Sequence, residues 1–159
     1  MASFTIGIGD LKACKSPDTL VTYALGSCVG ICLLDNQTGV GGLAHIMLPD
    51  SKASSAGSSS PMRFADTAIP MLIREMEKLG ASRTRLRAKI AGGATMFTIM
   101  NDKFNIGDRN VAQVKATLAK ERIPILAEDI GANYGRTLFF YPETGVMEIR
   151  AAARGIKNL

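Results

Sequence analysis

"VGICLLDNQTGVGGLAHIML", residues 29–48, reads as two apolar runs around a turn. Residues 29–34 look like a strand, and residues 40–48 form a second apolar run that starts rich in glycine. Between them Asn36-Gln37-Thr38-Gly39 supplies hairpin-turn chemistry. The pair therefore reads as a β-hairpin, which brings Cys28, at its entrance, and His45 onto neighbouring strands. Chains built from hairpins rather than from alternating strands and crossover helices fall in the α+β class.

Working outward, the remaining segments support that class. Phe4, Ile6 and Ile8 alternate with Thr5, Gly7 and Gly9, as a first strand would. Residues 20–25 suggest another strand, closed by the turn signal Gly26-Ser27. After the hairpin comes SKASSAGSSS, residues 51–60, small and polar, which reads as a flexible loop within one domain. Too little chain precedes it for a separate stable unit. Ser60-Pro61 then predicts an N-cap and first helical position. Phe64, Ala68, Leu72, Met76 and Leu79 follow at helical spacing up to Gly80, with Pro70 expected to kink or split the helix. Residues 86–91 suggest a strand leading into Gly92-Gly93, residues 108–122 an amphipathic helix with Val111, Val114 and Leu118 on its apolar side, and residues 123–130 a strand. Residues 137–141 and 146–151 form a last hairpin around Pro142-Glu143-Thr144-Gly145.

The whole chain, residues 1–159, has the length of one domain and a globular composition, 47% hydrophobic and 21% charged. Its N-terminus has no basic residue ahead of the apolar part, so no secretory signal is expected. No apolar run approaches the roughly 18 residues of a membrane span. A cytoplasmic protein without membrane insertion is the expectation. Three cysteines cannot all pair within the chain, and in a reducing compartment they serve packing, metal binding or catalysis.

The net charge of +5 concentrates at Arg83, Arg85, Arg87 and Lys89, alternating as a strand with one wet face would, and again at Lys115, Lys120 and Arg122. A solvated basic face is the plain explanation, and an acidic protein partner the functional one. Nucleic acid is not expected, since there is no Trp and few other aromatic side chains on which bases could stack.

His45 is the only histidine. On an apolar strand such a residue is commonly a satisfied core group, but beside a cysteine it supplies a proton acceptor and a charge that stabilises a thiolate. Of the three cysteines, Cys14 lies in a polar stretch and Cys32 inside the apolar run. Cys28 follows Gly26-Ser27, where the backbone can bend and the N–H groups of Gly26, Ser27 and Cys28 can face a carbonyl oxygen, as an oxyanion hole requires. Nucleophile and buried structural thiol both remain open for Cys28. Zinc held by Cys28, Cys32 and His45 is a third reading, weakened by the lack of a fourth ligand. Gly92-Gly93-Ala94 matches no phosphate-binding pattern and reads as a tight turn. Residues 105–110, NIGDRN, carry good capping chemistry for the helix after them.

These residues resemble a known family, the chemoreceptor glutamine deamidases called CheD. The resemblance rests on LGSCVG at residues 25–30 and GGLAHIMLP at residues 41–49, and continues through RFADTAIPML, KIAGGATMF, NIGDRN and NYGRTLFFYPETG. It departs at Ala132, where the family commonly has glycine.

The resemblance implies a Cys-His-Thr set, with Cys28 as nucleophile, His45 as base and Thr22 as the group that orients the imidazole. It implies a mixed β-sandwich flanked by helices, similar to the catalytic core of bacterial deamidating toxins, and no metal or other cofactor. The implied substrates are glutamines in the cytoplasmic helices of chemotaxis receptors, hydrolysed to glutamate through a thioester, with methyl glutamates as a further substrate in some members. The phosphatase CheC is an implied partner, and a monomer is expected. A binding adaptor with little turnover is the alternative of a different class.

Overall fold

The computed structural model describes residues 1–53, 59–95 and 105–159. The described residues form strands β1 (Ser3–Thr5), β2 (Leu11–Lys15), β3 (Thr19–Leu25), β4 (Val29–Asp35) and β5 (Val40–Ile46), then helix α1 (Ala65–Lys78) and β6 (Arg87–Gly92). Helix α2 (Ile106–Lys120) and strands β7 (Ile125–Ile130), β8 (Arg136–Tyr141), β9 (Val146–Ala151) and β10 (Gly155–Asn158) complete them. One sheet runs β1-β3-β8-β9-β10 and the other β2-β5-β4-β6-β7. Both are mixed, because β1 is parallel to β3 and β6 to β7 while the remaining pairs are antiparallel. The class is α+β, as the hairpin reading requires.

The second sheet is the middle layer of three. Val29, Ile31, Leu33, Ala44 and Ile46 point to the helices and pack with Ala68, Ile69, Leu72, Met76, Val114 and Leu118. Cys32 and Leu43 point the other way, onto Leu25, Leu138 and Phe140 of the first sheet. Burial on both faces is why β4 and β5 read as continuous apolar runs rather than as an alternation. The Gly41-Gly42 pair serves the same arrangement. A side chain at Gly41 would run into Pro142 and Phe140, and one at Gly42 into Leu72 and Met76.

Several boundaries differ from the sequence expectations for physical reasons. The first strand ends at Thr5: Ile6 stays buried but Ile8 is 55% exposed, because the chain crosses here to the second sheet. Strands β2 and β10, short and largely polar, were not legible as strands. Arg83–Arg85 is a 3-10 turn rather than the start of a strand. Buried Asp35 accepts from Arg85 through two nitrogens, at 2.8 to 3.2 Å, and from the Ser82 N–H at 2.8 Å, which bends the chain before β6 begins. The alternating basic residues are therefore partly spent inside the fold. Lys89 donates to the carbonyls of Gly145 and Leu159, whereas Arg83 pairs with Glu121 at the surface.

Pro61 opens a separate 3-10 turn, and extended Phe64 is the residue that precedes α1. Helix α1 runs through Pro70 as one element. The bond lost at Pro70 is offset by the fully buried Ile69, Leu72 and Ile73 around it. In the serine-rich stretch, Ser51–Ala53 is a 3-10 turn whose Ser51 donates twice to the Asp66 carboxylate, at 2.9 and 2.8 Å, while residues 54–58 lie outside the described residues. Helix α2 starts two residues earlier than its apolar pattern suggested. Asn105 caps it by accepting from the Asp108 N–H, and Arg122, at φ 60°, lies beyond its end. Ala132 also adopts a left-handed φ of 60°, the conformation that glycine takes without steric cost.

Candidate active site

The site lies where the two sheets meet at the open ends of β3, β4 and β5. The crossover at residues 6–10 joins them. The Ile6 N–H donates to Val21 of β3, the Gly9 N–H to the His45 carbonyl of β5 at 2.8 Å, and the His45 N–H to the Asp10 carbonyl at 3.0 Å. One short segment thereby ties the strand of Thr22 to the strand of His45.

Thr22 and His45 are both fully buried and meet directly, with 2.6 Å between Thr22 Oγ1 and His45 Nδ1. Thr22 Oγ1 also lies 2.7 Å from the Ile6 carbonyl. A hydroxyl has one proton, and a carbonyl can only accept. Thr22 therefore donates to Ile6, and accepts from His45 Nδ1–H. That fixes the tautomer and leaves Nε2 as a lone pair, buried and without a hydrogen-bond partner among the described residues. Burial pushes the His45 imidazole down to about 4, so it is neutral at pH 7.

Cys28 stands in the loop between β3 and β4. The carbonyls of this loop are all held from behind. Ala94 N–H donates to Gly26, Gly93 N–H to Cys28, and Asn110 Nδ2 to Ser27, at 2.9, 2.8 and 2.9 Å. Gly92 and Gly93, both at positive φ, and Gly107 on α2 permit this close packing of backbones. A Cβ at Gly92 would collide with the Cys28 carbonyl, and one at Gly107 with the carbonyls of Gly93 and Ala94. Past the loop, Val29 pairs with Ile46 and Gly30 with His45. Gly30 and His45 face the first sheet, and a side chain at Gly30 would run into Leu138 and Leu25.

The three cysteines differ sharply. Cys14 and Cys32 are buried, and Cys28 is partly exposed. Burial lifts the Cys14 thiol to about 11 with help from Asp18, and pushes the Cys32 thiol far above the ordinary range. Burial raises Cys28 as well, its own backbone N–H working in the opposite direction. With His45 neutral, the positive charge expected to hold Cys28 as a thiolate is missing in the free protein. Thiol and imidazole are both uncharged at pH 7. Among the described residues no group of three or more His, Cys, Asp or Glu side chains is placed to hold a metal ion.

The structure thus brings Thr22 and His45 together and sets the Cys28 loop at the end of the same hairpin. Reading the sequence missed three parts of this arrangement: the Ile6 carbonyl, the Gly93-Ala94 turn behind the loop, and Asn110. The signals were present in Gly92-Gly93-Ala94 and in NIGDRN, but a tight turn and a helix cap accounted for each separately.

The family model described as CheD chemotactic sensory transduction matches residues 47–151. Proteins named probable chemoreceptor glutamine deamidase CheD align over 156 residues, 97% of this chain and 96% of theirs. That of Clostridium kluyveri is 49% identical, that of Clostridium novyi 51%, and that of Clostridium botulinum strain Hall 49%. The chain belongs to the CheD family.

Proposed function

We propose that this protein deamidates glutamine side chains in the cytoplasmic helices of chemotaxis receptors, using Cys28 as nucleophile, His45 as base and Thr22 as the group that orients it. The observation that carries the reading is the Ile6–Thr22–His45 chain, which leaves an uncharged imidazole with its Nε2 lone pair unused. Further support comes from the register. Continued by one residue it sets Cys28 across from Met47, and diagonal neighbours in a sheet lie within reach of long side chains.

In this mechanism the Cys28 thiol gives its proton to His45 Nε2 as the sulfur attacks the glutamine Cδ. The oxyanion is received by the N–H groups of Ser27 and Cys28, because that of Gly26, expected from the sequence to join them, already donates to the Ala24 carbonyl at 3.1 Å. The His45 imidazolium then protonates the nitrogen, the C–N bond breaks and ammonia leaves a thioester. His45 next takes a proton from water, whose hydroxyl displaces sulfur to give glutamate and the free thiol. No step requires a cofactor. Methyl glutamate fits the same course, with methanol as the leaving group. The proton moves only on attack, since neither partner is charged beforehand.

The protein acts in the cytoplasm as a monomer, with CheC as a second partner competing for the same face. The full burial of His45 favours a second reading, an adaptor that binds receptor or CheC with little turnover. Intact-mass analysis of a cognate receptor fragment decides between them. Each deamidation shifts the mass by an amide-to-acid exchange, and a Cys28→Ala variant should produce no shift. Wild-type protein that binds the fragment without changing its mass would favour the adaptor.

A further inference from the structure

We infer that Asn110 is a positioning residue that sets the distance between the Cys28 loop and the His45 strand. The inference rests on the mechanism proposed above. Asn110 projects from α2, is fully buried, and donates through Nδ2 to two carbonyls, Ser27 at 2.9 Å and Met47 at 3.0 Å. Ser27 immediately precedes the nucleophile, and Met47 follows the base by two residues. One amide nitrogen therefore bridges the two segments whose separation governs proton transfer.

The chemistry of the position allows little else. Both partners are carbonyls, so the amide must present its nitrogen, and no rotation of the group can substitute the oxygen. The Oδ1 left over is buried without a partner among the described residues. An aliphatic side chain would fill this space without stranding an acceptor, but it could not join the two carbonyls. Serine has a single donor and could hold only one of them. The Gly93 and Ala94 amides secure the carbonyls of Cys28 and Gly26, but they reach nothing on the His45 strand. Asn110 alone among these three donors links loop to strand.

The test is steady-state deamidation of a receptor fragment by wild type, Asn110→Ala, Asn110→Ser and Cys28→Ala, together with the pH profile of alkylation at each cysteine. Asn110→Ala should lower kcat roughly 10- to 100-fold with KM little changed, as expected for a misplaced nucleophile. Its Cys28 should alkylate with a midpoint nearer that of a free cysteine, while Cys32 stays protected. Asn110→Ser should fall between it and wild type, and carries the test alone if Asn110→Ala does not fold. Wild-type kcat and an unmoved Cys28 profile would overturn the inference. So would equal labelling of Cys28 and Cys32, which would mark Asn110 as a support for the whole fold. If Cys28→Ala itself still deamidates, the proposed mechanism fails. If Cys28→Ala is inactive and Asn110→Ala is normal, only the role of Asn110 fails.

Discussion

Thr22 Oγ1 stands 2.6 Å from His45 Nδ1 and 2.7 Å from the Ile6 carbonyl, and these two distances together determine which nitrogen of the imidazole is protonated. Thr22→Ala removes the acceptor and frees the ring to adopt the other tautomer. We expect single-turnover deamidation to slow about tenfold, the equivalent of one net hydrogen bond. Thr22→Ser should keep most of the rate. A Thr22→Ala variant as fast as wild type would show that something else orients His45.

The neutral state of the free site makes the acid limb of the pH–rate profile informative. His45 is pushed down to about 4, so kcat/KM should hold well below pH 6 and fall only as pH approaches that value. An ordinary solvated histidine would place the fall near 6.5. Iodoacetamide should modify Cys28 before Cys14 or Cys32 because it is the accessible thiol, yet its rate should climb with an alkaline midpoint rather than plateau near neutrality. A plateau at neutral pH would indicate a preformed thiolate.

Stability should follow the same group. The folded state holds His45 neutral to lower pH than the unfolded chain does, so between about 6.5 and about 4 the unfolded chain binds more protons. Stability is then complete above that window and lost as pH falls through it, by on the order of 3 kcal/mol. Urea unfolding at pH 7 and pH 4 should show the loss in wild type and a much smaller one in His45→Gln. Equal losses in the two proteins would assign the effect to other groups.

Asp35 titrates below that window. The forked Arg85 guanidinium, with the Ser82 and Gln37 N–H groups, holds its carboxyl far below the usual carboxylate range. Its contribution is present above the unfolded value and disappears as pH falls beneath it. Asp35→Ala takes the acceptor from the Ser82 and Gln37 N–H groups, which are only partly shielded from water, and should cost about 2 kcal/mol in chemical denaturation. Arg85→Ala should cost less, because that side chain is 37% exposed and water replaces part of what it loses. Equal costs would mean that the carboxylate's N–H partners matter little.

The hairpin of β4 and β5 was legible from its turn residues and apolar runs, and with it the pairing of the Cys28 end with His45. Cys32 was legible as a packed thiol because it sits mid-run. The three-layer order was not, since the continuous apolar run at residues 29–34 signals cover on both faces but not which layer supplies each. Strand β2 escaped because LKACK carries an exposed lysine on each face, Lys12 and Lys15, and pairs only with β5. Arg85 was misplaced on a strand because its partner, Asp35, lies 50 residues earlier, beyond any local pattern. Asn110 was hidden for the same reason. A helix-cap motif explains its neighbourhood, and its two acceptors lie 83 and 63 residues upstream.

Those separations bear on when the protein becomes reactive during its own synthesis. Thr22, Cys28 and His45 all emerge within the first third of the chain. The amides of Gly93 and Ala94 and the nitrogen of Asn110, which hold the loop carbonyls, arrive only with residues 93–110. Contacts this distant in sequence are among the last a nascent chain can make. Until residues 93–110 dock, the carbonyls of the Cys28 loop lack these donors, so under the proposed mechanism hydrolytic competence would come late, from a segment encoded far downstream of Cys28 and His45.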